Sequence, residues 1–154
     1  MSLSWGQKMN DAEFEKQSQR IQTLWDRWIL PVGLAAWKLN CVYVRNDFMM
    51  DGQPAPEALA TASTKSEYML ATLSWNMPVV AEHDDRELER IFLHEVSHIL
   101  VNEMRPSRND TPLDKVLTGE DAWHEERVCT MIGNALLWTR ESVEREFKAK
   151  YEGC

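Results

Sequence analysis

Cysteine is scarce in this chain, and what there is cannot pair locally. Cys41, Cys129 and Cys154 are odd in number, far apart and without a CxxC pair. That excludes a disulfide framework and points to a reduced, intracellular setting. Basic residues are in the minority, 17 Lys and Arg against 25 Asp and Glu, for a formal charge of −8. A nucleic-acid-binding role, which calls for a basic face or stripe, is therefore not expected. No apolar run approaches the roughly 20 residues of a membrane span. The start, MSLSWGQKMNDAEFEK, lacks the apolar core of a signal peptide, so the expected compartment is the cytoplasm. Repeats and low-complexity segments are missing too.

What the chain does have is core-forming material: 154 residues, 44% hydrophobic, with seven tryptophans. One globular domain over 1–154 is expected, with a polar leader over 1–10 and a core over about 11–150. Phe14, Ile21, Leu24, Trp25, Trp28 and Ile29 recur at helical spacing, and Pro31 with Gly33 ends the pattern, predicting a helix over 11–30. Trp37 to Arg45, Leu59 to Ser66 and Tyr68 to Trp75 read as strands. NDFMMDGQPAPE between the first two reads as a turn-rich connector. The segment LSWNMPVV, with Pro78, suits a sheet edge or strand end, where a peptide could add as a further strand beside Trp75 and Met77. Trp75 is still better read as core.

The following helix has Asp84 as N-cap with Glu87 three on, a buried stripe of Leu88, Ile91, Phe92, Ile99 and Leu100, and Pro106 to close it. After a polar connector, SRNDTPLDKVLTGED, a last helix is predicted over roughly 121–150. The order of elements predicts an α+β fold: a helix, a small sheet of three or four strands, and two more helices.

Histidine is also rare, four in all, yet two of them lie four apart in IFLHEVSHIL, residues 91–100. At i and i+4, His94 and His98 leave the helix on one face and can share one zinc ion, while Glu95 is placed to act on a water without ligating. The alternative is a helix with two core histidines. Burying two imidazoles and a carboxylate on a half-buried helix without a metal is costly, which favours zinc.

A catalytic zinc needs a third protein ligand. His124, Glu125 and Glu126 lie 26 to 28 residues after His98, at the start of the last helix. Glu125 shares a face with Val128, Cys129, Ile132 and Leu136, so the apolar stripe points it inward. Glu126 shares a face with Cys129, Thr130, Gly133 and Leu137, and the first three are small enough to let two helices approach closely. The two arguments disagree. On the residues alone Glu125 and Glu126 stand level, with His124 third.

HEVSH followed about 28 residues later by EERVCTMIGNALL resembles the compact gluzincin-type zinc metallopeptidases, especially the ImmA/IrrE-like and phage-encoded HExxH proteins. In that group the third ligand is a glutamate on the next helix, with a small residue three on and Ser, Thr, Asn or Asp four on. Glu126, with Cys129 and Thr130, matches that pattern. Glu125 would put Val128 and Cys129 there. The resemblance thus implies His94, His98 and Glu126 as zinc ligands, Glu95 as the catalytic base and a peptide or protein as substrate. It covers roughly residues 35–140, and only the two motif segments are specific. Those proteins commonly carry Ala-Asn where this chain has Cys129-Thr130.

In such an enzyme Glu95 passes a proton from water to the leaving amine. His124, Arg127, Tyr68 and Tyr151 are candidates by chemistry for stabilising the oxyanion. A competing expectation is a non-catalytic, zinc-stapled binding domain, its site closed by a fourth protein ligand such as His124. The composition sets neither the oligomeric state nor the substrate.

Overall fold

In a computed structural model of the chain, which describes residues 9–65, 68–102 and 120–151, the fold is α+β as expected. Most of the leader, the Pro106 stop and nearly all of the connector before the last helix lie outside the described residues. The chain divides into two compact units, the first running to Leu88 and the second starting at Glu89.

Helix α1 (Asp11–Trp28) begins at Asn10, whose Oδ1 accepts from the Glu13 amide at 2.9 Å, with Asp11 and Glu13 in the positive first turn. Gln17, Ile21, Leu24 and Trp28 are buried. The helix stops two residues short of the predicted end, and the chain turns through Leu30–Gly33 before β1 (Lys38–Val44). Phe14 is only half-buried. It meets the Tyr43 ring edge-on and lies under the Arg45 guanidinium, 4.0 Å from its centroid, which ties the start of α1 to the end of β1.

The connector after β1 holds a two-residue hairpin between β2 (Met49–Met50) and β3 (Gln53–Pro54). Asp51 and Gly52 both take positive φ, 51° and 75°, the conformation of the tight turn that suits the twist of paired strands. Asp-Gly is the sequence signal for it. Next come β4 (Ala60–Lys65) and β5 (Leu70–Asn76), and the sheet order is β1–β5–β4. The β5 strand is parallel to β1 along its whole length and antiparallel to β4.

This corrects one expectation. LSWN lies on the central strand, with both sides paired, so it offers no free ladder to a peptide. Trp75 and Met77 are fully buried, in line with the core reading of Trp75. The physical reason is burial: Ala71, Leu73, Trp75 and Asn76 are all buried, and the strand with most to bury takes the middle. Pro78 lies in the first turn of a short helix, α2 (Met77–Val80), where its missing amide proton costs nothing.

Helix α3 (Asp85–Asn102) is capped as its sequence predicts, the Glu87 amide donating to Asp84 Oδ1 at 2.8 Å. Arg20 of α1 holds the approach to that cap. It donates to Asp85 Oδ1 and to the His83 carbonyl, each at 2.7 Å, and to the Val80 carbonyl at 3.3 Å.

In the second unit α3 buries Phe92, Leu93, Val96 and Ile99, while α4 (Glu120–Tyr151) buries Cys129 and Leu137. A Cβ on Gly133 would stand 3.1 Å from the His94 amide nitrogen, so the backbones of α3 and α4 come close there. Two turns further along α4, Arg140 Nη2 pairs with the buried Glu89 carboxylate at 2.7 Å. No helix among the described residues is long and apolar enough to cross a membrane.

Candidate metal centre

One turn of α3 separates His94 from His98. Their rings stand edge-on, centroids 4.8 Å apart, and the two Nε2 atoms are 3.1 Å from each other. From α4, Glu126 sends one carboxylate oxygen toward each ring: Oε2 is 3.1 Å from His94 Nε2 and Oε1 is 3.3 Å from His98 Nε2. Among the described residues, this is the group of histidine, cysteine and carboxylate side chains that could hold a metal ion. It has three members.

The opposite edges of the rings are also engaged. His98 Nδ1 lies 3.0 Å from Glu125 Oε1 and 3.4 Å from the sulfur of buried Cys129. His94 Nδ1 lies 3.2 Å from Thr130 Oγ1. A carboxylate only accepts, so a His98 ring that presents its Nε2 lone pair to a metal would carry its proton on Nδ1, toward Glu125. Thr130 can donate or accept, and so leaves the His94 tautomer open. Burial pushes His94 below the ordinary histidine range and the neighbouring His98 adds to that, while the Glu126 carboxylate opposes it. Neutral imidazole is the form that ligates.

Two imidazole Nε2 atoms and one carboxylate converge here, a set of donor atoms that a single cation can satisfy together. The spacing also suits a cation. Ligand atoms about 2.0–2.1 Å from a tetrahedral zinc lie ~3.3 Å from one another, close to the 3.1 to 3.3 Å measured across this site. Two imidazole nitrogens and a carboxylate are a donor set that zinc favours.

The structure separates the two glutamates that the sequence left level. Glu126 faces the Nε2 atoms with 59% of its side chain exposed, whereas Glu125 is 13% exposed and faces the far side of His98. Glu125 is turned inward with the apolar stripe, and Glu126 lies on the face where α4 comes close to α3. Glu95 follows His94 on α3 and is buried. His124 starts two residues before Glu126, about 200° round the helix, and its ring packs edge-on against Trp123.

Of the oxyanion candidates, Arg127 lies over the Trp123 ring at 5.5 Å. Tyr151 is about seven turns beyond Glu126 on the same continuous helix, about 37 Å away, and does not reach the site. Tyr68, on the first unit, is exposed. The sequence alone does not reveal the partners of the two Nδ1 atoms, Glu125 and Thr130. The inward direction of Glu125, on the apolar stripe of its helix, is the sequence signal for the first of them.

No protein family, curated protein or solved structure matches the chain.

Proposed function

We propose that this chain is a zinc-dependent metallopeptidase in which His94, His98 and Glu126 hold the metal and Glu95 is the general base. The observation that carries the reading is the convergence of His94 Nε2, His98 Nε2 and the Glu126 carboxylate at 3.1 to 3.3 Å, with Glu125 Oε1 3.0 Å from the far nitrogen of His98. Bound zinc supplies Lewis acidity toward water and an amide carbonyl.

The protein's own part is to hold two imidazoles and a carboxylate in register and to move a proton. A Glu95 carboxylate oxygen takes it from the attacking water and delivers it to the leaving amine nitrogen. Zinc held by His94, His98 and Glu126 would have three protein ligands from the described residues and would be open to water or substrate, whereas a purely structural site is closed by a fourth. That favours an enzyme over a zinc-stapled binding domain.

The test has two parts. Elemental analysis should find one zinc per chain in the wild type, lost in Glu126→Ala. Hydrolysis of a mixed peptide library should then fall by about 10²–10⁴-fold in Glu95→Gln, with zinc content unchanged. A wild-type chain that takes up no zinc even on reconstitution refutes the assignment. Zinc uptake with hydrolysis equal in wild type and Glu95→Gln returns the site to a structural role.

A further inference from the structure

Helix α4 runs on past the helix it packs against. The second unit's share of α3 starts at Glu89, which pairs with Arg140, and α4 continues from there to Tyr151. That is about 16 Å of further helix. The face turned to α3 continues along it. Phe147 stands about five turns beyond Cys129 at the same helical angle, with Val143 and Tyr151 about 40° to either side. Cys129 is fully buried, whereas Val143, Phe147 and Tyr151 are 61%, 58% and 59% exposed. The Phe147 and Tyr151 rings lie 4.7 Å apart and form one apolar ridge with Val143.

Charge is arranged symmetrically about this ridge. Residues 144–150 read EREFKAK, so Glu144 and Glu146 precede Phe147 at the spacing with which Lys150 and Lys148 follow it. Arg145 breaks the pattern, but it is turned about 160° from Phe147 and donates to the Glu141 carbonyl and the Ser142 hydroxyl, each at 3.2 Å. Glu144 and Lys148 flank the ridge on one side, Glu146 and Lys150 on the other. Two such helices laid antiparallel about Phe147 bring like flanks together. Glu144 then lies about 3 Å along the axis from Lys148 of the second copy, and Glu146 as near to its Lys150. All the facing charges are opposite. A parallel pair would set acid level with acid.

We propose that the C-terminal end of α4 is a self-association surface, occupied by the same segment of a second copy in antiparallel orientation. A two-fold contact of this kind needs a surface complementary to itself, and a reversal of charge about a central apolar residue provides one. The ridge offers on the order of 300 Å² of apolar side chain per copy, against roughly 800 Å² per partner in a stable complex. The dimer is accordingly weak, with a dissociation constant on the order of 100 µM. It goes beyond the metallopeptidase reading and does not depend on it.

Sedimentation velocity of the full chain, from well below to well above that concentration, should show a monomer–dimer equilibrium. Phe147→Ala should weaken it at least about 10-fold, because a ring is lost from each copy. The same four charges also stand i, i+4 within one helix, and mixing separates the two uses. Glu144→Lys with Glu146→Lys, and Lys148→Glu with Lys150→Glu, should each be monomeric alone and form a heterodimer together. Wild type mixed with the fourfold reversal should keep to homodimers, since only parallel packing would join them.

A wild-type chain that stays monomeric, a dimer indifferent to Phe147→Ala, or charge variants that remain apart on mixing overturns the proposal. A monomer whose unfolding midpoint falls in Phe147→Ala overturns it too, and assigns the ridge to the chain's own fold. If a charge variant loses its helix by circular dichroism, the wild-type series and Phe147→Ala still decide.

Discussion

Among the described residues, the buried polar side chains of the first unit are amides, Gln17 and Asn76, whereas the second unit buries the carboxylates of Glu89 and Glu95 and the hydroxyl of Ser97. Asn76 is satisfied by backbone, its Nδ2 donating to the Pro56 and Ala58 carbonyls at 2.9 and 2.8 Å. Gln17 accepts from Arg20 at 2.6 Å. Neutral groups of this kind close a loop or seat a helix and need nothing further. Buried carboxylates are different, because removing a charge from water is costly unless a specific partner faces it. In the second unit Arg140 faces Glu89, and His98 faces the largely buried Glu125. Two helices that only had to pack would do so more stably with apolar residues at these positions. The contrast is one of charge: among the described residues the sheet unit buries neutral amides, and the α3–α4 pair holds charge that stability alone does not require.

Three substitutions sharpen or break that contrast. The largest effect is expected from Arg140→Met, which leaves Glu89 buried without the guanidinium it faces. Denaturant unfolding should show a loss of about 3 kcal/mol, near the low end for broken buried pairs because Arg140 keeps some access to water. The double change with Glu89→Met should recover much of it. Full stability in the single variant would mean that the charges of the second unit are not costly, and the contrast would fail.

Gly133→Ala comes next. Alanine normally favours a helix interior by about 1 kcal/mol over glycine. Here its Cβ meets the His94 backbone at 3.1 Å, and backbone yields less readily than a side-chain tip. The expected result is a net loss of about 1–2 kcal/mol together with weaker zinc binding, since α4 carries Glu126. A more stable protein with unchanged zinc affinity would show that the approach of the two helices is not tight.

The smallest effect belongs to the first unit. Asn10→Ala removes the α1 cap and should lower stability by about 1 kcal/mol while leaving zinc affinity as it was. A change in affinity would break the separation of roles between the units.

Much of this was legible along the chain because it depends on local rules. The Asp84 cap, the span of α1 to within two residues, the strands β1, β4 and β5, and the i, i+4 histidines all follow from spacing and hydrogen-bonding capacity within a few residues. The Asp51-Gly52 hairpin was equally local, and its Asp-Gly signal was passed over inside a turn-rich stretch. Strand position was not legible. Alternation in LATLSW marks a strand, but whether it has one neighbour or two depends on β1, more than 25 residues earlier in sequence.

The same division holds at the site. By itself the sequence determined that His94 and His98 share a face, because 3.6 residues per turn allows nothing else, and that a glutamate from the last helix was within the chain's means. Only the tertiary structure decided which ring atoms each glutamate faces. Adjacent helical residues point about 100° apart, so the rotation of α4 about its own axis selects which one meets the Nε2 atoms and which reaches behind His98. That rotation is set where Gly133 rests against the His94 backbone, a contact between residues nearly 40 apart in the chain.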